Sequence, residues 1–275
     1  MERWTLLLEI SLALYAISGA LFIWNVAKGA RIAGSAASGT AVLGLLTHSL
    51  GLALLTVGQM RAPFLDLFGS LVFFAWALMA VYLAVERGHR VSALGAFACA
   101  ISCAALASAL LMPRELIGAL PPALRSRWST LHIASGLVSY AGFVLAFGSS
   151  LAYALQEKLL KAKRITAFQR RLPPLDALDR FAYRMVAFAF PMLTLGVITG
   201  AIWAQSAWGS YWNWDLKETW SLITWLVYAA YLHMRVIQGR RGRWANRLLL
   251  AGFACVLITY LGVSLLSAGL HSHGR

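Results

Sequence analysis

An all-helical, polytopic membrane bundle of about eight spans is the fold this sequence predicts, and three observations predict it. Hydrophobic residues make up 60% of the 275 and charged residues only 12%, a balance outside the range of soluble domains. Apolar runs of about 20 residues recur from end to end, the length needed to cross roughly 30 Å of hydrocarbon at 1.5 Å per residue. Lys and Arg are gathered in the short stretches between those runs.

In chain order the expected spans cover about 5–26, 39–58, 67–86, 91–112, 129–156, 185–206, 219–238 and 247–268, with boundaries good to about three residues. The first run lacks a basic leader and a small-residue cleavage site, so it is read as a retained span. The second carries His48 near its middle, and the fourth carries Cys99 and Cys103 on one helix face. Neither these thiols nor Cys255 forms a Cys-x-x-Cys, which excludes the usual thiol-redox and c-type cytochrome patterns; they read as small hydrophobes in helix packing. Between the fifth and sixth spans, about residues 157–184 form a basic loop with Pro173-Pro174, expected to hold an amphipathic surface helix and a turn. The whole chain, 1–275, reads as one domain without an internal repeat.

Net charge is +14. In a soluble protein that would suggest nucleic acid, but here its distribution sets orientation instead, and no nucleic-acid partner is expected. Seventeen of the 24 basic residues fall on one side of the expected topology, in alternate loops. That side is read as cytoplasmic, placing both termini and the segment between spans six and seven on the periplasmic side of a bacterial inner membrane.

That segment, about 206–219, is the most informative part of the chain. Trp208, Tyr211, Trp212, Trp214 and Trp220 surround Asp215, Lys217 and Glu218, and six of the eleven tryptophans lie between Trp203 and Trp225. An interfacial belt needs one or two aromatics per helix end. Asp215 and Glu218, three apart before an apolar run, have a plain explanation as a helix-capping box. The tryptophans do not. Flat aromatic surface beside fixed charge suits a flat apolar ligand with charged groups at one edge, as heme is.

Histidines fall at matching depths. His132, four residues after Trp128, and His271, just past the last span, lie at the level of the Trp-rich segment, and two neutral imidazoles there can take both axial positions of a heme iron. His233 lies fifteen residues beyond Glu218, roughly 22 Å further along the seventh helix. An ionisable group inside a span is costly, so His233 and His48 are both candidates for an inner site. Each also has a bland reading, a neutral imidazole bonded to a neighbouring carbonyl or hydroxyl. His89 reads as solvated and His273 as a bystander.

These residues resemble the CcsA (ResC) family, the heme-handling membrane subunits of the system II cytochrome c synthase, within a wider group named for a tryptophan-rich WWD motif. The likeness is carried by Trp208 to Trp220, the continuation to His233, the end Gly269-Leu270-His271-Ser272, and Trp128 to Tyr140. A weaker likeness covers Ala62 to Glu86. The resemblance implies that His132 and His271 are external axial ligands of heme b, and that His233 belongs to an inner heme site completed by a CcsB-type partner subunit. It implies thioether attachment to an apocytochrome c Cys-x-x-Cys-His motif, achieved mostly by positioning, with thiol-reducing proteins as further partners. No acid–base catalytic residue is named by it. Two positions depart from the family pattern: Leu216 stands where proline is usual, and His273 where tyrosine is usual. A heme-delivery or assembly chaperone of the same group is the alternative function, and a secondary transporter of another amphipathic solute a remote one.

Overall fold

The computed structural model describes residues 3–60, 62–86, 92–112, 122–163 and 171–262. These fold as eight helices: α1 (Arg3–Lys28), α2 (Arg31–Gln59), α3 (Leu67–Glu86), α4 (Ser92–Leu110), α5 (Arg127–Lys161), α6 (Leu175–Trp208), α7 (Leu216–Val236) and α8 (Arg243–Leu257). A 3₁₀ turn, Pro122–Arg125, leads into α5, and a π-helical turn, Ile258–Gly262, extends α8. No strand occurs among the described residues. His89, His271 and His273 lie outside them.

Six helices, α1 to α6, are long and apolar enough to cross a membrane. The two that fall short of the expected eight do so for different reasons. The described part of α8 has only 15 residues. Helix α7 has 21, but its tryptophans and tyrosines, with His233 and Arg235, dilute its apolar character. The expected surface helix in the basic loop does not form as a separate element among the described residues. Helix α6 instead starts at Leu175, directly after Pro173-Pro174, because Pro174 is extended (φ −61°, ψ 151°) and proline favours a helix start. Leu178, Phe181, Ala182 and Met185 then continue the buried face of the span into that segment.

Packing is closest in two pairs, α1 with α2 and α5 with α6, with α4 on the first and α7 and α8 on the second. In the first half, Tyr15 lies over Gly44, Cys99 over Gly19, and Tyr82 over Gly95 and Phe22. Cys99 is buried and all three cysteines are free, as small packing residues should be. In the second half, Phe143 of α5 stacks on Tyr228 of α7 with ring centroids 3.8 Å apart, and Gly252 of α8 closes the other side. Helix α6 carries Pro191 in its interior, which removes one backbone hydrogen bond without ending the helix.

The start of α3 is built by a tight turn. Asp66 Oδ1 accepts the Gly69 N–H at 2.7 Å, and Ser70 Oγ donates to the Phe64 carbonyl at 2.9 Å. A Cβ at Gly69 would fall 1.3 Å from the Pro63 carbonyl oxygen, whereas one at Gly39 would meet nothing within 4 Å. Gly69→Ala should therefore cost about 3 kcal/mol, by forcing the backbone apart, and Gly39→Ala almost nothing. Thermal unfolding of the detergent-purified variants tests this; equal midpoints would be inconsistent with the turn.

Candidate functional site

The end of α6 and the start of α7 hold the Trp-rich segment between two well-formed caps. Gly209 ends α6 with φ +78°, a left-handed conformation, and its N–H donates to the Gln205 carbonyl. Asp215 starts α7, its Oδ1 accepting the Glu218 N–H at 2.7 Å. Glu218 reaches back to accept from the Asn213 N–H at 2.6 Å, two residues before the cap. The capping box expected from the sequence is present, widened to embrace the loop. Leu216 takes the first helical position, and the helix forms without a proline there.

Trp214, between these acids' contacts, has φ +57°. A large residue in the left-handed region costs about 1–3 kcal/mol, and such strain collects at functional sites. The residue is 70% exposed, and its ring meets Trp212 edge-on, centroids 5.9 Å apart. Tyr211 is also exposed, whereas Trp208, Trp212 and Trp220 are half-buried. The Trp212 indole N–H is enclosed and has no hydrogen-bond partner among the described residues. Lys217, in the first turn of α7, makes no ion pair there either. Burial lowers its ammonium pKa, and the nearby Asp215 carboxylate opposes that shift.

His132 lies in the second turn of α5 and turns its ring onto α6. Its Nδ1 is 2.7 Å from the Gly196 carbonyl oxygen. A carbonyl only accepts, so Nδ1 carries the proton and the lone pair of the neutral ring is on Nε2. That tautomer suits a metal ligand held by a backbone partner. Gly200, one turn on, leaves room for the ring: a Cβ there would lie 2.6 Å from Nδ1. The imidazole stacks on Trp203, centroids 6.0 Å apart and planes 18° apart. Trp203 meets Trp208 edge-on at 5.0 Å, and its indole N–H donates to the Ala123 carbonyl at 2.8 Å. A continuous line of rings thus joins His132 to the Trp-rich segment.

The other candidates lie elsewhere. His233 is near the opposite end of α7, in an exposed position. His48 is fully buried where α1 and α2 pack, with Nδ1 3.2 Å from the Tyr15 hydroxyl. Trp203 and Lys217, counted with the Trp-rich segment but given no role there, belong to the site, as do Gly196 and Gly200, which sequence reasoning passed over. The Gly196-x-x-x-Gly200 spacing, a common device for close helix approach in membranes, was the available signal.

Two measurements check this geometry. Asp215→Ala removes the cap, worth about 1 kcal/mol, and should speed amide exchange at Glu218 and Thr219 about fivefold. Gly200→Ala should push the imidazole off the Gly196 carbonyl, seen as a severalfold change in the rate at which diethyl pyrocarbonate modifies His132; an unchanged rate would refute the cradle.

Comparison with known proteins identifies the family. The model of the cytochrome C assembly protein family matches residues 64–271. The cytochrome c biogenesis protein CcsA of Synechocystis sp. is 37% identical over 83% of this chain and 84% of its own length. CcsA of Synechococcus elongatus is 35% identical over 92% of each chain, and that of Microcystis aeruginosa 39% over 77% of this chain and 79% of its own. Among solved structures, the cytochrome c heme lyase CcmF superposes with a TM-score of 0.71 over 94% of this chain at 18% identity, a likeness of fold. This chain spans about half of that protein, 47% of its length. Matched across most of its length by these relatives, this multi-pass membrane protein belongs to the CcsA family of cytochrome c assembly proteins.

Proposed function

We propose that this protein binds heme b as its substrate and presents it at the periplasmic face for attachment to apocytochrome c, as the CcsA subunit of a system II synthase. The observation that carries this reading is His132, held as the Nδ1–H tautomer by the Gly196 carbonyl and stacked into a line of tryptophans. It offers an iron-ligating nitrogen beside an aromatic surface of the right shape and polarity.

The residues fit the group. His132 would bind one axial position through Nε2, and His271, outside the described residues, the other. Trp208, Tyr211, Trp212, Trp214 and Trp220 would cover the macrocycle. Asp215 stabilises the start of α7, while the enclosed Trp212 N–H and the Lys217 ammonium are donors suited to the propionate carboxylates. Heme supplies the reacting vinyl groups. Each apocytochrome thiol adds its S–H across one vinyl double bond, forming a C–S bond with the hydrogen going to the other vinyl carbon, so no net electrons are exchanged. The protein's contribution is to hold the macrocycle with its vinyl edge open, making an encounter of two molecules effectively unimolecular.

The distribution of Lys and Arg orients the His132 end outward and the loops after α5 and α7 inward, in the bacterial inner membrane. His233 then lies in the inner part of the membrane. An exposed imidazole at that depth calls for a protein neighbour rather than lipid, which agrees with a ligand set completed by a CcsB-type subunit. His48, enclosed against Tyr15, is a weaker candidate whose surroundings suit helix packing. Thiol-reducing proteins would keep the acceptor cysteines free.

The absorption spectrum of the protein purified with its partner under heme-replete conditions tests the reading. Sharp reduced α and β bands are expected, reduced at least severalfold in His132→Ala/His271→Ala. A wild-type complex without heme would refute the proposal.

A further inference from the structure

Helix α7 has two opposite stripes of equal spacing. Thr224, Tyr228, Tyr231 and Arg235 are buried, while Leu226, Ala230, His233 and Ile237 are exposed. At 100° per residue, His233 and Arg235 stand 200° apart and so point to opposite sides of the helix. Apolar content alone does not decide which stripe turns inward. Leu226 and Ile237 are as buriable as the tyrosines they oppose, and their side faces out.

The deciding contact is Arg235 with Asp179 of α6. Nη1 donates to Oδ1 at 2.9 Å and Nη2 to Oδ2 at 2.5 Å, a two-pronged pair with side chains only 6% and 11% exposed. The guanidinium lies 5.2 Å from the Tyr183 ring centroid, and Asp179 Oδ1 also accepts the Gly242 N–H, at 3.4 Å, from the turn before α8. One carboxylate thus ties α6, α7 and the α7–α8 turn together. Beside it a small cleft is lined by Ser149, Tyr153, Tyr231 and Asn246. Higher on α7, the Trp225 indole N–H donates to Thr194 Oγ1 at 2.9 Å. Taken over their whole length, α7 packs on α6 far more lightly than α5 does. Rolling α7 by one residue would strand a buried guanidinium and carboxylate, which a low-dielectric interior strongly disfavours. Buried ionic groups are best attested in this role, the choice of helix register, rather than as a source of stability.

We infer that the Asp179–Arg235 pair is a positioning device that fixes the rotation and height of α7 on α6, and thereby the direction in which His233 presents its imidazole. This rests on the proposal that His233 ligates heme. The pair touches no ligand itself and acts through the helix that carries His233.

The test replaces the pair by apolar side chains of similar size, Asp179→Leu/Arg235→Met, in the complex with the partner subunit. Such replacement of a buried ion pair is often neutral for stability. The thermal midpoint and the His132-dependent heme absorption should be retained. The His233-dependent low-spin heme signal should fall at least fivefold, and millimolar imidazole should restore it by supplying a ligand from solution. A heme-free readout runs beside it: maleimide labelling of His233→Cys should change severalfold in rate between the intact-pair and apolar-pair backgrounds. If the apolar variant does not accumulate, Arg235→Lys keeps the charge but cannot bridge both carboxylate oxygens, and a smaller loss in the same signal is expected. Loss of signal in His233→Ala together with full retention in the apolar-pair and Arg235→Lys proteins, and unchanged labelling, would overturn the positioning role. An unchanged signal in His233→Ala would overturn the inner-site reading instead.

Discussion

Helices α5 and α6 meet along a seam of glycine, alanine and serine, and the position of His132 depends on that approach. A Cβ on Gly142 would lie 2.8 Å from that of Ala189, and one on Gly196 would lie 3.3 Å from Ser135 Oγ. In a bilayer there is little hydrophobic drive between helices, so association rests on close packing and on polar contacts across the seam. Here the two coincide. The same small residues that let the backbones approach bring the Gly196 carbonyl within reach of an imidazole from the neighbouring helix. A larger residue anywhere along the seam would act on the ring through the helix spacing, even where it does not touch it.

The two ends of the α5–α8 half are organised on different principles. At the loop end, ordering comes from capping and ring contacts: Asp215 and Glu218 on backbone N–H groups, Gly209 in its left-handed cap, and Trp203 between His132 and Trp208. At the other end it comes from charge. Asp179 with Arg235 is enclosed, while Glu157 with Arg243 and Lys161 is open to solvent. The exposed group adds little, because water screens it and side-chain entropy opposes it. The enclosed pair acts through the cost of breaking it.

Much of this was legible in the sequence. The eight apolar runs correspond to eight helices among the described residues, because a run of about 20 apolar residues is a local property of the chain. The Asp215–Glu218 box was readable for the same reason. Helix limits were less so: α6 begins ten residues before its expected span, since the Pro173-Pro174 pair, taken as the middle of a loop, marks a helix start. The contact of His132 with Gly196 was not legible, being made across 64 residues of chain. Nor was the pairing of Asp179 with Arg235, made across 56 residues of chain. Long-range partners depend on helix rotation, and a single sequence carries rotation only where one face is unmistakably apolar. On α7 neither face is.

That ambiguity bears on how the chain enters the membrane during synthesis. A segment with two cationic or titratable residues near one end and polar aromatics throughout partitions poorly from the translocon into lipid by itself. Helix α6, apolar and 34 residues long, precedes it and carries Asp179. Once α6 is alongside, the guanidinium of α7 can leave water without becoming an isolated charge, and the Trp225 and Thr194 side chains can satisfy each other. In physical terms the α6–α7 hairpin, closed at its turn by the Trp-rich loop, enters the bilayer at lower cost than α7 alone. The contact that holds α7 at one rotation on α6 is also the one that lets its guanidinium leave water already paired.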